Sequence, residues 1–474
     1  MTVSSAAPAR GYNKVSPAVI EQLARIVGEK NVATNPDKIH PYSYDEVSDP
    51  RYHHLPEVVV FPETTEQVAE IVKLANREVI PVVPRGAGTG LACGAVPIFG
   101  GIVLTLEKMN KVIELDPVNM FMVVQAGVRT EEVQKLAEKH HLLYAGDPCS
   151  GDSCFIGGNV ATNAGGNRAV KYGTTRHQVY QMEVVTPTGE ITRLGSRLNK
   201  SSTGYCLDQL VIGSEGTLGV ITEITLKLVP LPKHVIDLLA VFPDSDSAIA
   251  FIGVIAKAGI APTCLEFMDN VAIQCVERFT KEKLPYDENG HYLIIQVEAD
   301  AEEKLDDIAV QLDELAMDNG ALVMLVPNSD QIWRARKSMA EAVRFENLIH
   351  SSEDIVVPVE KLPEAMRLMA GICEKYGALA RTVSHAGDGN IHLSILQGSI
   401  TEAAWPEALN RIHHDIFSFI YPMGGKLSGE HGIGYKKKAL MQEYTDRVEL
   451  ELMRQIKKAW DPLLILNPGK VFDA

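Results

Sequence analysis

Two histidines with the chemistry of metal ligands stand at the ends of a short segment, HAGDGNIH, in the second half of the chain. Between His385 and His392 lies Asp388-Gly389, a pair typical of a two-residue type I′ hairpin turn. That turn would place the two histidines directly opposite each other on one face, with Cβ atoms about 4.5–5.5 Å apart. Two imidazoles at this spacing can bind one divalent ion through nitrogen.

A third ligand could come from SGEHGIG, where Glu430 precedes His431. Glycines on both sides free the backbone from strict alternation, so both side chains could face one pocket. Two histidines and one carboxylate, with open positions, form a recurrent catalytic site for a divalent metal, here zinc, iron or manganese. The alternative is a hairpin whose histidines only pack or form hydrogen bonds.

Three glycine-rich loops in the first half have the composition of a binding site for a large planar ligand. PRGAGTG follows a buried strand, and its glycines let backbone N–H groups approach a diphosphate while Arg85 adds positive charge. This loop is not the GxGxxG fingerprint of dinucleotide-binding folds. GGNVATNAGG and GSEGTLG follow later. The alternative is three unrelated surface loops.

Composition narrows the class of protein. The length of 474 residues predicts two or three domains. The net charge of -16 argues against a nucleic-acid partner. The seven cysteines are scattered without a CxxC pair, so we expect a reducing, cytoplasmic location. We expect no secretory leader and no transmembrane segment, because no apolar run reaches about 18 residues. Peripheral membrane association stays open.

The order of predicted elements indicates an α+β fold. Strand–helix alternation such as PEVVVF followed by EQVAEIVKLANRE, with Thr64 and Gln67 as a capping box, gives way to short strands up to LVPLPK. Three β-α-β rounds follow, which predicts an antiparallel sheet covered by helices in a ferredoxin-like arrangement, with helices at the C-terminus.

The motifs together resemble a flavoprotein superfamily. PRGAGTG, GGNVATNAGG and GSEGTLGVITEITLKLVP are similar to the FAD-binding domain of the vanillyl-alcohol oxidase and p-cresol methylhydroxylase superfamily. HAGDGNIH, SGEHGIG and LNPGK are similar to its branch of glycolate oxidase, D-lactate dehydrogenase and D-2-hydroxyglutarate dehydrogenase. The resemblance implies an N-terminal helical segment over 1–52, a two-subdomain FAD-binding domain of the p-cresol methylhydroxylase type over 53–232, a cap domain for substrate over 233–420, and a segment over 421–474 that completes the active site.

The resemblance also implies ligands and roles. No histidine or cysteine stands at Gly88-Thr89-Gly90, where relatives attach the flavin, so non-covalent FAD is expected. The implied metal ligands are His385, His392 and Glu430. The residues expected to bind the cofactor are Pro84, Arg85, Gly86, Ala87, Gly88, Thr89, Gly90, Gly157, Gly158, Asn159, Thr162, Asn163, Gly165, Gly166, Glu215, Gly216 and Asn467.

The expected activity is an FAD-linked dehydrogenase for a small D-2-hydroxy acid, with His431 as the base and Arg336 as the partner of the substrate carboxylate. Relatives that act on dicarboxylates carry a lysine where this chain has Ser352, which favours D-lactate or glycolate over D-2-hydroxyglutarate. The expected electron acceptor is an electron-transfer flavoprotein, a quinone or a cytochrome. A D-2-hydroxyglutarate dehydrogenase, a non-catalytic flavoprotein subunit and a metal-dependent hydrolase are the alternatives.

Overall fold

A computed structural model describes residues 11–47, 49–286 and 290–474. The first ten residues, over which the sequence predicts no secretory leader, lie outside the described residues. The chain divides into two compact units. The first unit contains the chain up to Ala164, Thr174–Leu231 and Glu430–Ala474, and the second contains Gly165–Gly173 and Pro232–Gly429. The first unit is therefore built from both ends of the chain.

The strands lie in two long series, one for each unit. The strands of the first unit are β1 Val32–Ala33, β2 Val58–Val60, β3 Val82–Arg85, β4 Ile102–Thr105, β5 Val112–Asp116, β6 Phe121–Gln125, β7 Leu142–Leu143, β8 Val179–Val185, β9 Ile191–Gly195, β10 Val220–Lys227 and β11 Val229–Pro230. The strands of the second unit are β12 His234–Phe242, β13 Cys264–Met268, β14 His291–Ala299, β15 Val323–Leu325, β16 His350–Val356, β17 Leu379–His385 and β18 Asn390–Leu396.

The helices follow the same division with two exceptions: the short helix Ala169–Tyr172 belongs to the second unit, and the last two helices return to the first unit. In chain order they are α1 Pro17–Val27, α2 Pro36–Ile39, α3 Thr65–Glu78, α4 Thr130–Glu138, α5 Ile156–Thr162, α6 Ala169–Tyr172, α7 Leu207–Val211, α8 Ser245–Lys257, α9 Asn270–Thr280, α10 Glu302–Asp318, α11 Ser329–Lys337, α12 Met339–Glu346, α13 Leu362–Tyr376, α14 Trp405–Ile420, α15 Lys438–Tyr444 and α16 Arg447–Trp460.

Two larger sheets and the two-stranded pairing of β7 with β11 form the first unit. The four-stranded sheet has the order β1-β2-β4-β3, in which β4 pairs in parallel with β2 and β3. The five-stranded sheet has the order β5-β6-β10-β8-β9 and is antiparallel. The valines of β2 are buried on both faces, as strands of a covered parallel sheet must be. This arrangement matches the two subdomains that the sequence predicts.

The N-terminal helix and the C-terminal segment both belong to the core of the first unit. Leu23 of α1 is fully buried in the cluster that contains the β2 valines and also Ile465 and Leu466. The backbone of the C-terminal segment pairs with β3, since the Val82 N–H donates to the Ile465 carbonyl at 2.8 Å and Asn467 N–H donates to the Val82 carbonyl at 2.7 Å. Residues near the end of the chain thus extend the sheet that carries the first glycine-rich loop.

A single antiparallel sheet of seven strands forms the framework of the second unit, in the order β15-β12-β14-β13-β17-β18-β16. The predicted β-α-β rounds correspond to β12-α8-β13, β14-α10-β15 and β16-α13-β17. Helices α9 and α12 were not predicted from the sequence. They pack beside each other in the cluster of Ala272, Ile273, Ala342 and Val343. The fold is mixed α and β, as predicted, and among the described residues no helix combines the length and apolar character required to cross a bilayer.

Helix α3 begins at the predicted capping residues. The Gln67 N–H donates to Thr64 Oγ1 at 3.3 Å, and Gln67 Oε1 accepts from the Glu63 N–H at 2.7 Å, one residue earlier than in a regular capping box. Two backbone donors at the helix start are therefore satisfied. This helix covers the four-stranded sheet with Val68, Ile71 and Val72, which are fully buried.

We predict that Thr64→Ala lowers the free energy of unfolding by about 1 kcal/mol, because the Gln67 N–H loses its acceptor. Thr64→Ser keeps the hydroxyl and should unfold at nearly the wild-type midpoint. Urea unfolding followed by circular dichroism measures both. Equal midpoints for the alanine and serine variants would contradict the assignment of this cap.

Candidate active site

The β17–β18 hairpin carries both predicted histidine ligands, but its turn differs from the prediction. His385 pairs with Asn390, and Val383 pairs with His392, so the turn spans four residues, 386–389. The two-residue turn over Asp388-Gly389 was wrong. Gly389 adopts φ +81°, and a Cβ there would lie 2.0 Å from the Val357 carbonyl oxygen. The turn therefore packs against the segment that follows β16, and this packing fixes the longer turn.

The two histidines nevertheless share one face of the sheet. The pairing is shifted by two residues relative to the prediction, and side chains alternate with a period of two, so the same face is kept. The ring centroids of His385 and His392 are 4.9 Å apart with an interplanar angle of 89°. Glu430 directly follows the last residue of the second unit, and one potential ligand atom from each of the three residues lies within 4.8 Å of the others.

A buried acid on the neighbouring strand orients His385. Glu266 of β13 pairs with His385 in the sheet register, and its Oε1 lies 2.7 Å from His385 Nδ1. A carboxylate at this distance accepts the Nδ1 proton, which directs the Nε2 lone pair away from Glu266. Neither side chain is more than 4% exposed. Carboxylate-backed imidazoles of this kind are typical of metal-binding histidines.

Arg336 lies on the other side of Glu266. Its Nε and Nη2 atoms are 2.9 and 2.8 Å from Glu266 Oε2, and the pair is 4% and 1% exposed. Glu266 thus divides its two oxygens between the guanidinium and His385. The prediction that Arg336 binds a substrate carboxylate stays a prediction.

The second histidine has an amide partner. His392 Nε2 lies 2.9 Å from Asn390 Oδ1, within the same strand. In each histidine one ring nitrogen therefore has a polar neighbour, Nδ1 in His385 and Nε2 in His392. With the Glu430 carboxylate, the donor set fits a divalent ion of the zinc, iron or manganese type.

The predicted base, His431, belongs to a glycine-rich turn of the first unit. Its Nε2 lies 3.9 Å from Glu430 Oε1, and the imidazole is 17% exposed. The turn continues through Gly432 and Gly434, both with positive φ, and a Cβ on Gly434 would lie 1.9 Å from the Ala92 carbonyl oxygen. Only glycine allows the chain to pass so close to that backbone.

Glu215, predicted to bind the cofactor, holds this turn. Its Oε1 and Oε2 accept the N–H groups of Ile433 and Gly434 at 2.7 and 2.8 Å. Burial raises the pKa of the Glu215 carboxyl, and these two hydrogen bonds oppose that rise. Near it, burial lowers the pKa of Lys470 to about 7, while Cys93 and Glu215 oppose that fall.

The Arg85 side chain packs against the first glycine-rich loop. The arginine is 7% exposed, its guanidinium lies 5.5 Å from the centre of the Tyr42 ring, and burial lowers its pKa. A Cβ on Gly88 would lie 2.1 Å from Arg85 Nη2. The predicted fixed charge is therefore folded directly beneath the loop, whose backbone from Gly86 to Thr89 is partly exposed.

The second and third loops meet the first one in the same unit. A Cβ on Gly86 would lie 3.5 Å from the Gly158 Cα, and one on Gly216 would lie 3.4 Å from Pro84 Cγ. The Glu215 N–H donates to the Ala161 carbonyl at 2.7 Å, which joins the third loop to α5. The loops therefore form one cluster, as a shared ligand requires.

Several predicted cofactor residues have structural bonds of their own. The Asn159 amide donates to Thr130 Oγ1 at 2.8 Å, the Thr162 hydroxyl donates to the Gly158 carbonyl at 3.2 Å, and Asn163 Oδ1 accepts the Arg176 N–H at 2.9 Å. Gly165 and Gly166 fall in the second unit.

The loop cluster fits a large ligand with hydrogen-bonding edges. A Cβ on Gly158 would meet no atom of the described residues within 4 Å, so the backbone there borders open space. Within residues 11–47, 49–286 and 290–474, Ser214 Oγ and Asn467 Oδ1 are buried and have no hydrogen-bond partner. The Asn467 amide donates to the carbonyls of Gly94 and Glu215, which fixes the direction of its oxygen.

Sequence reasoning missed Glu266, Asn390 and Asp354 as parts of this site. One signal was available for Glu266, because an acid inside the apolar strand CLEFM must be buried and therefore needs a partner. Asn390 lies two residues from His392, and that spacing puts both side chains on one face. Asp354 has no local signal in SSEDIVV, where acids could equally face solvent.

Comparison with known proteins agrees with both units. Residues 231–471 match the family described as FAD linked oxidases, C-terminal domain, and residues 56–195 match the FAD binding domain. A D-lactate dehydrogenase of Anaerostipes hadrus is 38% identical over 97% of this chain and 98% of that protein. A glycolate oxidase subunit of Bacillus subtilis is 34% identical over 97% of each chain. The solved structure of p-cresol methylhydroxylase with substrate bound has the same fold, with a TM-score of 0.83 over 98% of each chain at 17% identity.

Two adjacent glycines allow a matched test of the loop cluster. We predict that Gly158→Ala leaves the stability of the cofactor-free protein unchanged but lowers its affinity for FAD about tenfold or more, a loss of about 1.4 kcal/mol. Gly157→Ala should instead destabilise the fold by about 1–3 kcal/mol, because its Cβ would lie 2.6 Å from the Ala126 Cβ. Thermal unfolding and flavin absorbance measure the two effects, and normal FAD binding by Gly158→Ala would contradict the prediction.

Arg336→Met should destabilise the protein by about 3–5 kcal/mol in the absence of substrate, because it leaves a buried Glu266 carboxylate without its cation. Arg336→Lys keeps the charge and should lose less. Thermal unfolding without substrate measures both variants. If the methionine variant kept wild-type stability and only its KM rose, the guanidinium would act on substrate alone.

Proposed function

This chain belongs to the FAD-linked oxidases, and on that premise we propose that it oxidises a D-2-hydroxy acid, D-lactate or glycolate, to the 2-oxo acid. It is an FAD-linked oxidoreductase of the branch that includes D-lactate dehydrogenases, glycolate oxidase subunits and D-2-hydroxyglutarate dehydrogenases. The substrate, the metal and the electron acceptor are the proposed parts.

The grouping of His385, His392 and Glu430 carries the proposal. A 2-hydroxy acid offers a hydroxyl and a carboxylate oxygen that can bind one divalent ion together, and the three ligand atoms within 4.8 Å leave coordination positions for them. A protein that only relayed electrons would have no need for such a group. The carboxylate behind His385 supports the same conclusion.

When bound, FAD supplies a hydride acceptor, and the divalent ion supplies a Lewis acid for the substrate oxygens. His431 acts as the general base and takes the hydroxyl proton. The hydrogen on C2 leaves with its electron pair, so the substrate loses two electrons and two protons in total and becomes the 2-oxo acid. Glu215 holds the His431–Gly434 turn in place during this transfer.

The choice of a monocarboxylate depends on Ser352. This residue lies on β16, two positions before Asp354 and therefore on the same face, and Asp354 pairs with His392 in the sheet register. A serine at this position offers no cation for a second carboxylate. Arg336, which contacts Glu266 through Nε and Nη2, remains the proposed partner of the first carboxylate.

The proposed cofactor is non-covalent FAD, since Gly88, Thr89 and Gly90 include no histidine or cysteine for a covalent link. The reduced flavin must pass two electrons on. We propose a protein acceptor or a quinone, and an electron-transfer flavoprotein or a cytochrome would satisfy the same need.

Turnover of the FAD-loaded protein with an artificial dye tests the proposal on D-lactate, L-lactate, glycolate and D-2-hydroxyglutarate. We expect oxidation of D-lactate or glycolate, loss of that activity after treatment with a chelator, and recovery on adding zinc or manganese. His431→Ala should lower kcat by about 10²–10⁴-fold while FAD and metal stay bound.

His140→Ala is the matched control, because His140 is exposed and lies outside the site. It should keep wild-type kcat. Full turnover by His431→Ala would remove the base from the proposal. Dye reduction by D-2-hydroxyglutarate alone would reject the monocarboxylate assignment.

A further inference from the structure

We propose that Asp354 is a positioning residue that orients two of the three metal ligands at once, an inference that rests on the proposed function only in taking His385, His392 and Glu430 as ligands. One oxygen of its carboxylate acts on His392 through Asn390. The other holds the backbone that leads into Glu430. The structure thus links a strand residue without surface exposure to two ligands that are far apart in sequence.

Asp354 lies on the edge strand β16, directly beside the strand β18 that carries His392. It is fully buried in β16 and pairs directly with His392 in the register of β16 and β18. Its Oδ1 accepts a hydrogen bond from Asn390 Nδ2 at 2.6 Å. A buried carboxylate with such a short bond to an amide is a strong and directional constraint.

The bond from Asn390 determines which nitrogen of His392 carries a proton. Asn390 Nδ2 also donates to the Ile355 carbonyl at 3.1 Å. The two groups that accept from Asn390, the Asp354 carboxylate and this carbonyl, therefore both face its NH₂ group. The amide oxygen must then face His392 Nε2, which lies 2.9 Å away and has to donate. In this tautomer Nε2 of His392 carries the proton and Nδ1 carries the lone pair.

The second oxygen of Asp354 acts on the segment before Glu430. Oδ2 accepts hydrogen bonds from the Ser428 hydroxyl at 2.5 Å and from the Gly429 N–H at 3.0 Å. A Cβ on Gly429 would lie 2.2 Å from Asn390 Nδ2, so the segment passes directly against the amide that orients His392. Glu430 is the next residue.

This arrangement needs a carboxylate and not an amide at position 354. The carboxylate accepts on both oxygens, towards Asn390 on one side and towards Ser428 and Gly429 on the other. An asparagine offers one acceptor and one donor, so its NH₂ group would face either the Asn390 amino group or the Gly429 N–H. One of the two ligands must then lose its support.

Asp354→Asn in the full-length, FAD-loaded protein tests the inference, with metal affinity as the measured quantity. We expect it to bind cobalt(II) about 10–100-fold more weakly than wild type, to lose it faster to a chelator, and to show an altered visible cobalt spectrum. FAD content should stay at the wild-type level. Titration with cobalt(II) alone gives the affinity without any need for turnover.

Glu353→Gln is the matched control. Glu353 is the adjacent residue of the same strand, is also buried, and points to the opposite face, where it pairs with Ser351 and His413. It should keep the wild-type affinity for cobalt(II) even if the protein becomes less stable. Asn390→Ala removes the contact to His392 together with the bonds to Asp354 and Ile355 but leaves the bonds from Ser428 and Gly429 to Asp354. It should weaken cobalt(II) binding as well, which provides a second test if Asp354→Asn does not fold.

The outcomes separate this inference from the proposed function. Wild-type affinity for cobalt(II) in both Asp354→Asn and Asn390→Ala would overturn it, even if the enzyme oxidised D-lactate. Weaker binding in these variants would support it even if none of the 2-hydroxy acids proved to be a substrate. A wild-type protein that binds no cobalt(II) would overturn it together with the metal site.

Discussion

The site depends on one constraint, the burial of ionised side chains in a sheet where no water can satisfy them. A buried carboxylate is tolerated only where donors surround it. Glu266 meets this condition between Arg336 and His385, and Asp354 meets it between Asn390, Ser428 and Gly429. Because each acid must keep its donors, the rings and backbone that provide them are fixed, and the proposed metal ligands take their orientation from the protein itself.

From the sequence, the shared sheet face of the two histidines was predicted correctly, but the turn that joins their two strands was not. His385 and His392 were placed on one side of a hairpin through a turn that proved wrong, and the prediction survived because the actual register differs by two residues. A shift of one residue would have separated them. The α+β fold and the flavoprotein family were confirmed because periodic strands, helices and glycine-rich loops are local signals.

The parts that were missed are those set by tertiary packing. Arg85 and Glu215 were predicted to bind the cofactor, which stays a prediction, but the motifs did not indicate that the guanidinium packs against Gly88 of its own loop or that the carboxylate holds the turn after His431. Asp354 could not be distinguished from a surface acid in SSEDIVV. Motifs identify which residues matter, whereas only the structure shows which neighbour each side chain serves.

The discontinuous first unit has a consequence for how the protein is made. Val82 receives its backbone partners from Ile465 and Asn467, and Leu466 fills the same core as the β2 strand. A nascent chain that has left the ribosome only as far as the second unit therefore has an unpaired β3 edge and no His431 turn. The second unit can complete its sheet before residues 430–474 are made, whereas the β3 edge and the His431 turn of the first unit can form only after those residues have been synthesised.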